Sequence, residues 1–176
     1  MIRLKQGRCG NAGGINLFTL LFVCTGNTCR SPMAQVLAQK GIAQRGLKEQ
    51  VKVASAGTMA WPGAPASAHA QKVMADRNLD LSEHASRPLD EALIREADLI
   101  LTMTGSHRDM VLQAAPGNDG KVFSLREFIG TEGDIADPFG RNEQAYACCA
   151  GEIEEAIEKA LDRIEQSLKR GSQDIV

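Results

Sequence analysis

The chain has 176 residues and a formal net charge of −2, a length that fits one domain with a buried core. This charge gives no electrostatic support for a nucleic-acid or membrane partner, and the sequence lacks both a bilayer-spanning apolar run and a secretory signal. Its five cysteines do not have the spacing of a disulfide framework, so we expect a cytoplasmic protein with reactive thiols.

The first predicted element follows a glycine-rich start. Residues 1–15 show no periodicity and no glycine-rich nucleotide motif, which predicts a flexible N-terminal extension before a domain over 16–170 and a tail over 171–176. The continuous apolar run at 16–23 is typical of a buried parallel strand. Residues 31–47 predict a helix, with Ser31 as its N-cap and Pro32 at its first position.

Strands and helices continue to alternate after residue 50. The patterns predict strands at 51–57, 98–103 and 121–125, and helices at 66–78 and 89–97. A C-terminal helix has one apolar face, formed by Ile153, Ala156, Ile157, Ala160, Leu161, Ile164 and Leu168. This order predicts one doubly wound α/β domain, with a four-stranded parallel sheet and helices on both faces.

The first turn from strand to helix, VCTGNTCRSP at 23–32, carries the most informative residues. Ligands of such sheets bind beyond the carboxyl ends of the strands. Gly26 and Asn27 can adopt left-handed dihedrals, so the backbone N–H groups can form a nest at the N-terminus of the following helix. The turn is therefore predicted to bind a tetrahedral oxyanion through Thr25, Gly26, Asn27, Thr28, Cys29 and Arg30.

Two side chains supply the predicted chemistry of this turn. The guanidinium of Arg30 suits two oxygens of a phosphate-like group. The same positive surroundings favour the thiolate of Cys24, which we interpret as the nucleophile. In the segment 132–140, Pro138 holds Asp137 in an extended conformation. Asp137 could protonate the leaving atom and then deprotonate the water that hydrolyses a phosphocysteine.

Several motifs, in this order, resemble the low-molecular-weight protein tyrosine phosphatases over roughly residues 17–170. They are VCTGNTCRSPMA at 23–34, SAGT at 55–58, His84, ADLILTM at 97–103 and DPFG at 137–140. The resemblance implies a phosphatase that needs no metal or other cofactor. It gives the roles of nucleophile, transition-state clamp and acid then base to Cys24, Arg30 and Asp137. The family positions that brace the loop are Asn27, Ser31, Ser55 and His84, although ordinary loop and core polarity would also explain Ser55 and His84.

The substrate is predicted from Thr28, where eukaryotic-type members of the family carry a bulky aliphatic residue. A small threonine at this place resembles the bacterial protein-arginine phosphatases. Its hydroxyl can accept a hydrogen bond from the guanidinium of phosphoarginine, Asp137 could engage the same group, and Phe139 could stack on it. Trp61 favours phosphotyrosine as the substrate instead, because the tyrosine-specific branch of the family often has an aromatic wall near this place. A protein-tyrosine phosphatase is therefore the alternative.

The remaining cysteines and histidines carry weaker interpretations. Peroxide would oxidise Cys24 to a sulfenic acid that Cys29 could trap as a disulfide, although Cys29 could also be a small buried residue. An arsenate reductase is a more remote alternative, for which Cys148 and Cys149 would be the redox cysteines. The two other histidines, His69 and His107, are predicted to be surface or capping residues. We expect a monomer that acts on phosphorylated proteins.

Overall fold

The computed structural model describes residues 17–171, so the predicted N-terminal extension over 1–15 lies outside the described residues. Four strands form one parallel sheet in the order β2-β1-β3-β4. They are β1 Phe18–Cys24, β2 Val51–Gly57, β3 Leu99–Thr102 and β4 Val122–Ser124. The predicted fold class is confirmed, with small shifts in the ends of the strands.

The helices cover both faces of the sheet. They are α1 Arg30–Gln44, α2 Ala68–Ala75, α3 Glu91–Glu96, α4 Gly105–Ala114, α5 Leu125–Phe128 and α6 Glu143–Gly171. The side chains of β1 alternate between two cores, because successive residues of a strand point to opposite faces. Leu20 and Phe22 join the core under α1, α2, α5 and α6, whereas Leu21 and Val23 join the core under α3 and α4. Within the described residues, no helix is long and apolar enough to cross a membrane.

The order of the strands indicates where a ligand site should lie in this fold. The chain leaves β1 toward β2 on one side, and β3 pairs with the other side of β1, so the order reverses at β1. Crevices form at such switch points, beyond the carboxyl ends of the strands. Cys24 is the last residue of β1 and pairs with Gly57, the last residue of β2.

Three predictions about helices are wrong or incomplete. Ser31 is not the N-cap of α1, because that helix begins at Arg30 after Cys29 and has no side-chain cap. The C-terminal helix begins at Glu143, about ten residues before its clear apolar stripe. The sequence patterns do not predict helix α4. Only His107 and Val111 are buried along it, so its apolar residues do not recur with a clear helical spacing.

Candidate active site

The loop Cys24–Arg30, which we call the cradle loop, joins β1 to α1 and turns its carbonyl groups outward. Two carbonyls are bound by the segment after β2, since Cys24 O accepts from Thr58 N and Thr25 O from Met59 N, both at 2.9 Å. Another three carbonyls accept hydrogen bonds from α1, from the start of α2 and from a histidine ring. These bonds are Met33 N to Cys29 O at 3.3 Å, Ser67 N to Thr28 O at 2.8 Å, and His84 Nε2 to Asn27 O at 2.7 Å.

The C=O and N–H of one planar trans peptide point in opposite directions. A carbonyl that points away from the middle of the loop therefore leaves the N–H of the next residue pointing toward it. The five bonded carbonyls therefore turn the N–H groups of the following residues toward the middle of the loop: Thr25, Gly26, Thr28, Cys29 and Arg30. Asn27 has a φ of 54°, in the left-handed region, which lets successive N–H groups converge. This geometry is a nest that suits a tetrahedral anion.

A buried amide braces the loop from below. The side-chain Nδ2 of Asn27 donates to Ser31 Oγ and to Ser55 Oγ, both at 2.9 Å, and its Oδ1 accepts from Arg87 N at 2.9 Å. Ser55 in turn donates to Gln35 Oε1 at 2.7 Å. Asn27 is fully buried, and these bonds satisfy both ends of its amide. With His84 on the carbonyl of Asn27, the structure brings all four predicted bracing residues together.

Cys24 has a hydroxyl beside its sulfur. Its Sγ lies 3.0 Å from Ser31 Oγ, which also lies 3.3 Å from Ala56 O. The serine has one proton, so it can donate either to that carbonyl or to the sulfur. When Cys24 is a thiolate, Ser31 can turn its proton onto Sγ and stabilise the negative charge. The hydroxyl of Ser31 therefore bonds within the cradle loop, to Cys24 and Asn27, and is not used to cap α1.

Arg30 joins the cradle loop to the loop that carries Asp137. Its Nη2 lies 2.5 Å from Asp137 Oδ2, and its Nη1 donates to Ile135 O at 3.1 Å. Arg30 is buried, while the side chain of Asp137 is 46% exposed. Asp137 Oδ1 also accepts from Phe139 N at 3.1 Å, which closes a turn around Pro138. The carboxylate thus lies against the arginine of the cradle loop and is partly open to solvent.

His107 is predicted to be a surface or capping residue. It is buried beside the cradle loop, so it is not a surface residue, but it does contact Thr104, the N-cap of α4. Its Nε2 lies 2.8 Å from Thr25 Oγ1, and its Nδ1 lies 2.8 Å from Thr104 Oγ1. Burial, and then the charge of Arg30, lower the pKa of His107, which favours the neutral ring. No local pattern indicates the contact with Thr25, because the two bonded side chains are 82 residues apart.

Comparisons with known proteins identify the family. A family model described as low molecular weight phosphotyrosine protein phosphatase matches residues 19–173. The chain belongs to this family. Its membership confirms the predicted resemblance and the predicted class of enzyme, a protein phosphatase.

Three individual matches add detail. A protein-arginine-phosphatase of Bacillus subtilis is 40% identical over 84% of this chain and 97% of its own. A probable low molecular weight protein-tyrosine-phosphatase of Ralstonia nicotianae, EpsP, is 38% identical over 83% of this chain and 95% of its own. A solved YwlE arginine phosphatase, mutated from cysteine to serine and phosphorylated on its active-site serine, has a TM-score of 0.79. It is 38% identical and covers 84% of this chain and 95% of its own.

Two of the residues predicted to set specificity are exposed aromatic side chains. Phe139 is 73% exposed and Trp61 is 81% exposed, whereas Thr28 in the cradle loop is half-buried. Trp61 belongs to the segment that follows β2, whose first residues hold the carbonyls of Cys24 and Thr25. These three residues are the ones that the sequence assigns to specificity.

Two further side chains of α6, Tyr146 and Cys149, contact the two loops of the site. The sequence predicts no role for Tyr146, and for Cys149 it predicts only that of a redox cysteine in an arsenate reductase. Tyr146 is buried and its Oη lies 3.2 Å from Cys29 Sγ. Burial, and then the hydrogen bond with Cys29, raise the pKa of Tyr146 to about 12, so its phenol stays protonated. Cys149 donates to Ala136 O at 3.6 Å, and burial raises the pKa of its thiol to about 12. Cys148 is exposed. Within the described part of the chain, no cluster of side chains could hold a metal ion.

We expect a Gly57→Ala substitution to damage the cradle loop. A Cβ at Gly57 would lie 2.4 Å from Thr25 O and 2.9 Å from Asn27 N, both backbone atoms. Overpacking of this kind costs about 1–3 kcal/mol, and here the strain falls on the nest itself. Gly120→Ala is the matched control, since a Cβ there meets nothing within 4 Å. The measurements are kcat/KM on para-nitrophenyl phosphate and the free energy of unfolding. A Gly57→Ala enzyme as active as the control would contradict this reading of the loop.

Proposed function

We propose that this phosphatase hydrolyses phosphoarginine residues in proteins through a phosphocysteine on Cys24. The observation that carries the proposal is the place of Thr28. It contributes one of the inward N–H groups of the nest, and its half-buried hydroxyl lies within the same loop. A relative named as a protein-arginine-phosphatase, 40% identical, supports this choice of substrate.

The first step transfers the phosphoryl group to the enzyme. The thiolate of Cys24 attacks phosphorus, an S–P bond forms, and the P–N bond to the arginine breaks. Asp137, which lies against Arg30, gives its proton to the leaving nitrogen. The inward N–H groups and Arg30 bind the phosphoryl oxygens, and this stabilisation grows as charge develops in the transition state. The phosphorylated active-site serine of the YwlE mutant supports an enzyme-bound intermediate of this kind.

The second step restores the enzyme. Asp137, now a carboxylate, takes a proton from water as the water attacks phosphorus. The S–P bond breaks, phosphate leaves, and Cys24 departs as a thiolate that Ser31 Oγ, 3.0 Å away, can stabilise by donating its proton. A stabilised leaving group makes this step easier, so Ser31 assists the release of Cys24 from phosphorus.

The choice of arginine rests on the polarity of the leaving group. Phosphoarginine presents N–H groups close to phosphorus, and a threonine hydroxyl can accept one of them, whereas an aliphatic side chain would leave it unpaired. The exposed ring of Phe139 offers a face on which the guanidinium could stack. Phosphotyrosine is the second candidate, because the exposed Trp61 offers an aromatic surface and the Ralstonia relative is named as a tyrosine phosphatase.

The decisive prediction concerns Thr28→Ile. Removing the hydroxyl should lower kcat/KM on a phosphoarginine peptide by about 10–100-fold relative to a phosphotyrosine peptide of the same sequence, since an unpaired polar group costs about 1–3 kcal/mol. Thr131→Ile, on an exposed loop, should leave the ratio unchanged. A wild-type preference for phosphotyrosine that Thr28→Ile does not alter would make the protein a tyrosine phosphatase.

The role of Asp137 predicts a dependence on the leaving group. Asp137→Asn should lower kcat/KM on phenyl phosphate, a poor leaving group, by about 10²–10⁴-fold. It should lower turnover of para-nitrophenyl phosphate much less, because nitrophenolate needs little protonation. Asp119→Asn, at an exposed acid elsewhere, is the control. Equal losses on the two substrates would rule out Asp137 as the proton donor.

We also propose that peroxide inactivates the enzyme reversibly through Cys24 and Cys29. The thiolate of Cys24 becomes a sulfenic acid, which Cys29 attacks to form a disulfide and release water. Both thiols are free and buried, with Cys24 beside Ser31 and Cys29 beside Tyr146. Closing the disulfide would replace the contact of Cys29 Sγ with the phenol.

Mild peroxide should therefore give a Cys24–Cys29 disulfide in peptide mapping, with activity restored by dithiothreitol. Cys29→Ser should be inactivated without recovery, because a sulfenic acid left untrapped oxidises further. Cys148→Ser, at the exposed cysteine, should behave like the wild type. Recovery of activity by the Cys29→Ser enzyme would refute the protective role of Cys29.

The finer expectations on setting and assembly are proposals of the same kind. We propose a cytoplasmic monomer, and the free thiols of the four described cysteines support a reducing compartment. Light scattering coupled to size exclusion measures the mass of the particle, and a mass of twice 18.9 kDa would refute the monomer.

A further inference from the structure

The N-terminus of α4 forms a junction between the two loops that carry the reaction. On one side, His107 reaches the cradle loop through Thr25, whose Oγ1 lies 2.8 Å from Nε2. On the other side, Gly105 N donates to Asp134 Oδ1 at 2.8 Å, three residues before Asp137. The same stretch is held again by Ile135 N on Met103 O, at 2.9 Å. One short segment, 103–107, therefore contacts both the cradle loop, which carries the nucleophile, and residues 134–137, which we call the acid loop.

We propose that His107 is a positioning residue of the phosphatase reaction, which fixes Thr25 and with it the first peptide of the cradle loop. Thr25 immediately follows Cys24, and its N–H is the first of the inward donors. The backbone of Thr25 is already tied through its carbonyl to Met59 N at 2.9 Å. The imidazole bonds to the side chain of Thr25, so this residue is held both through its backbone carbonyl and through its hydroxyl.

The ring itself is fixed at both nitrogens. Its Nδ1 lies 2.8 Å from Thr104 Oγ1, and this hydroxyl also accepts from His107 N at 3.1 Å as the N-cap of α4. A neutral ring donates from one nitrogen and accepts at the other, and both hydroxyls can take either part. Both bonds are therefore satisfied without a charge on the ring.

Burial, and then the charge of Arg30, favour this neutral state of His107. Arg30, from the start of α1, opposes protonation, and Asp137 and Asp134, from the acid loop, act in the opposite direction. Burial acts with Arg30, so the pKa of His107 falls below its usual value. The ring thus places no second positive charge beside Arg30, and its contribution is positional.

The two nitrogens can be tested separately, because the amide of Gln can take the place of Nε2 and that of Asn the place of Nδ1. His107→Gln keeps the bond to Thr25 and loses the one to Thr104, so it should retain kcat within about 3-fold of the wild type. His107→Asn keeps the bond to Thr104 and loses the bond to Thr25. Its kcat should therefore fall about 10-fold, the loss expected for one buried hydrogen bond. Thr25→Val should give the same loss, and the double variant Thr25→Val/His107→Asn no further loss.

Two controls separate positioning from stability. Met110→Ala, on the exposed face of α4, should leave kcat unchanged. Inhibition constants for phosphate and vanadate, measured on folded protein, should both rise in His107→Asn, and that for vanadate should rise more because vanadate resembles the transition state. A change in melting temperature alone would not move either constant.

The opposite ranking would overturn the proposal. If His107→Gln is impaired and His107→Asn is not, the bond to Thr104 matters and His107 only caps a helix. Additive losses in the double variant, or unchanged inhibition constants, would also refute it. The inference rests on the phosphocysteine reaction proposed above, and a wild-type enzyme without turnover would refute both together. Normal wild-type turnover with unaffected variants would refute the role of His107 alone.

Discussion

The site depends on one constraint, which is that the carbonyl groups of the cradle loop must point away from the anion. A carbonyl turned inward would face the phosphoryl oxygens with its own negative end. In this structure the carbonyls of Cys24, Thr25, Asn27, Thr28 and Cys29 all have outside donors. A buried carbonyl without a donor costs about as much as a lost hydrogen bond, so each donor keeps its peptide from flipping. The anion site is thus maintained by bonds made on its outer side.

The donors on that outer side come from several elements, between residues 33 and 84. The segment after β2 supplies two N–H groups, the start of α2 supplies one, and His84 supplies a ring nitrogen. Side chains from α4 and α6 add His107 on Thr25 and Tyr146 on Cys29, the latter across 117 residues. Because these elements also form the two cores, a change that loosens the packing of α6 or α4 reaches the cradle loop directly. Stability and activity should therefore be coupled in this domain more closely than the short catalytic motif suggests.

The sequence predicts those parts of this arrangement that depend on neighbours along the chain. Strands with continuous apolar runs, the apolar stripe of α6, and the cysteine and arginine of one turn are all local patterns, and the structure agrees with them. The resemblance to a family adds Asn27, Ser31, Ser55 and His84, and the structure brings them together.

Sequence reasoning fails where tertiary structure, and not a local pattern, decides the partner of a side chain. Ser31 has the form of an N-cap, yet its hydroxyl bonds within the folded cradle loop, to Cys24 and Asn27. No local pattern indicates the contact of His107 with Thr25 or of Tyr146 with Cys29, because a polar residue on a helix normally faces water. Short helices such as α4 and α5 bury too few side chains to produce a period.

Arg30 shows why the nucleophile loop and the acid loop act as one unit. A guanidinium has five N–H donors in a fixed plane. One goes to Ile135 O and one to Asp137 Oδ2, so three N–H groups are not used by these two bonds. In the proposed mechanism, the same side chain would bind phosphoryl oxygens while it holds the loop of Asp137 in place. A lysine has three donors on a single nitrogen, so it could not contact Ile135 O and Asp137 and also present a planar pair of donors to a phosphoryl group. Arg30 thus bridges the two loops whatever it binds, and its burial between them keeps that bridge in one orientation.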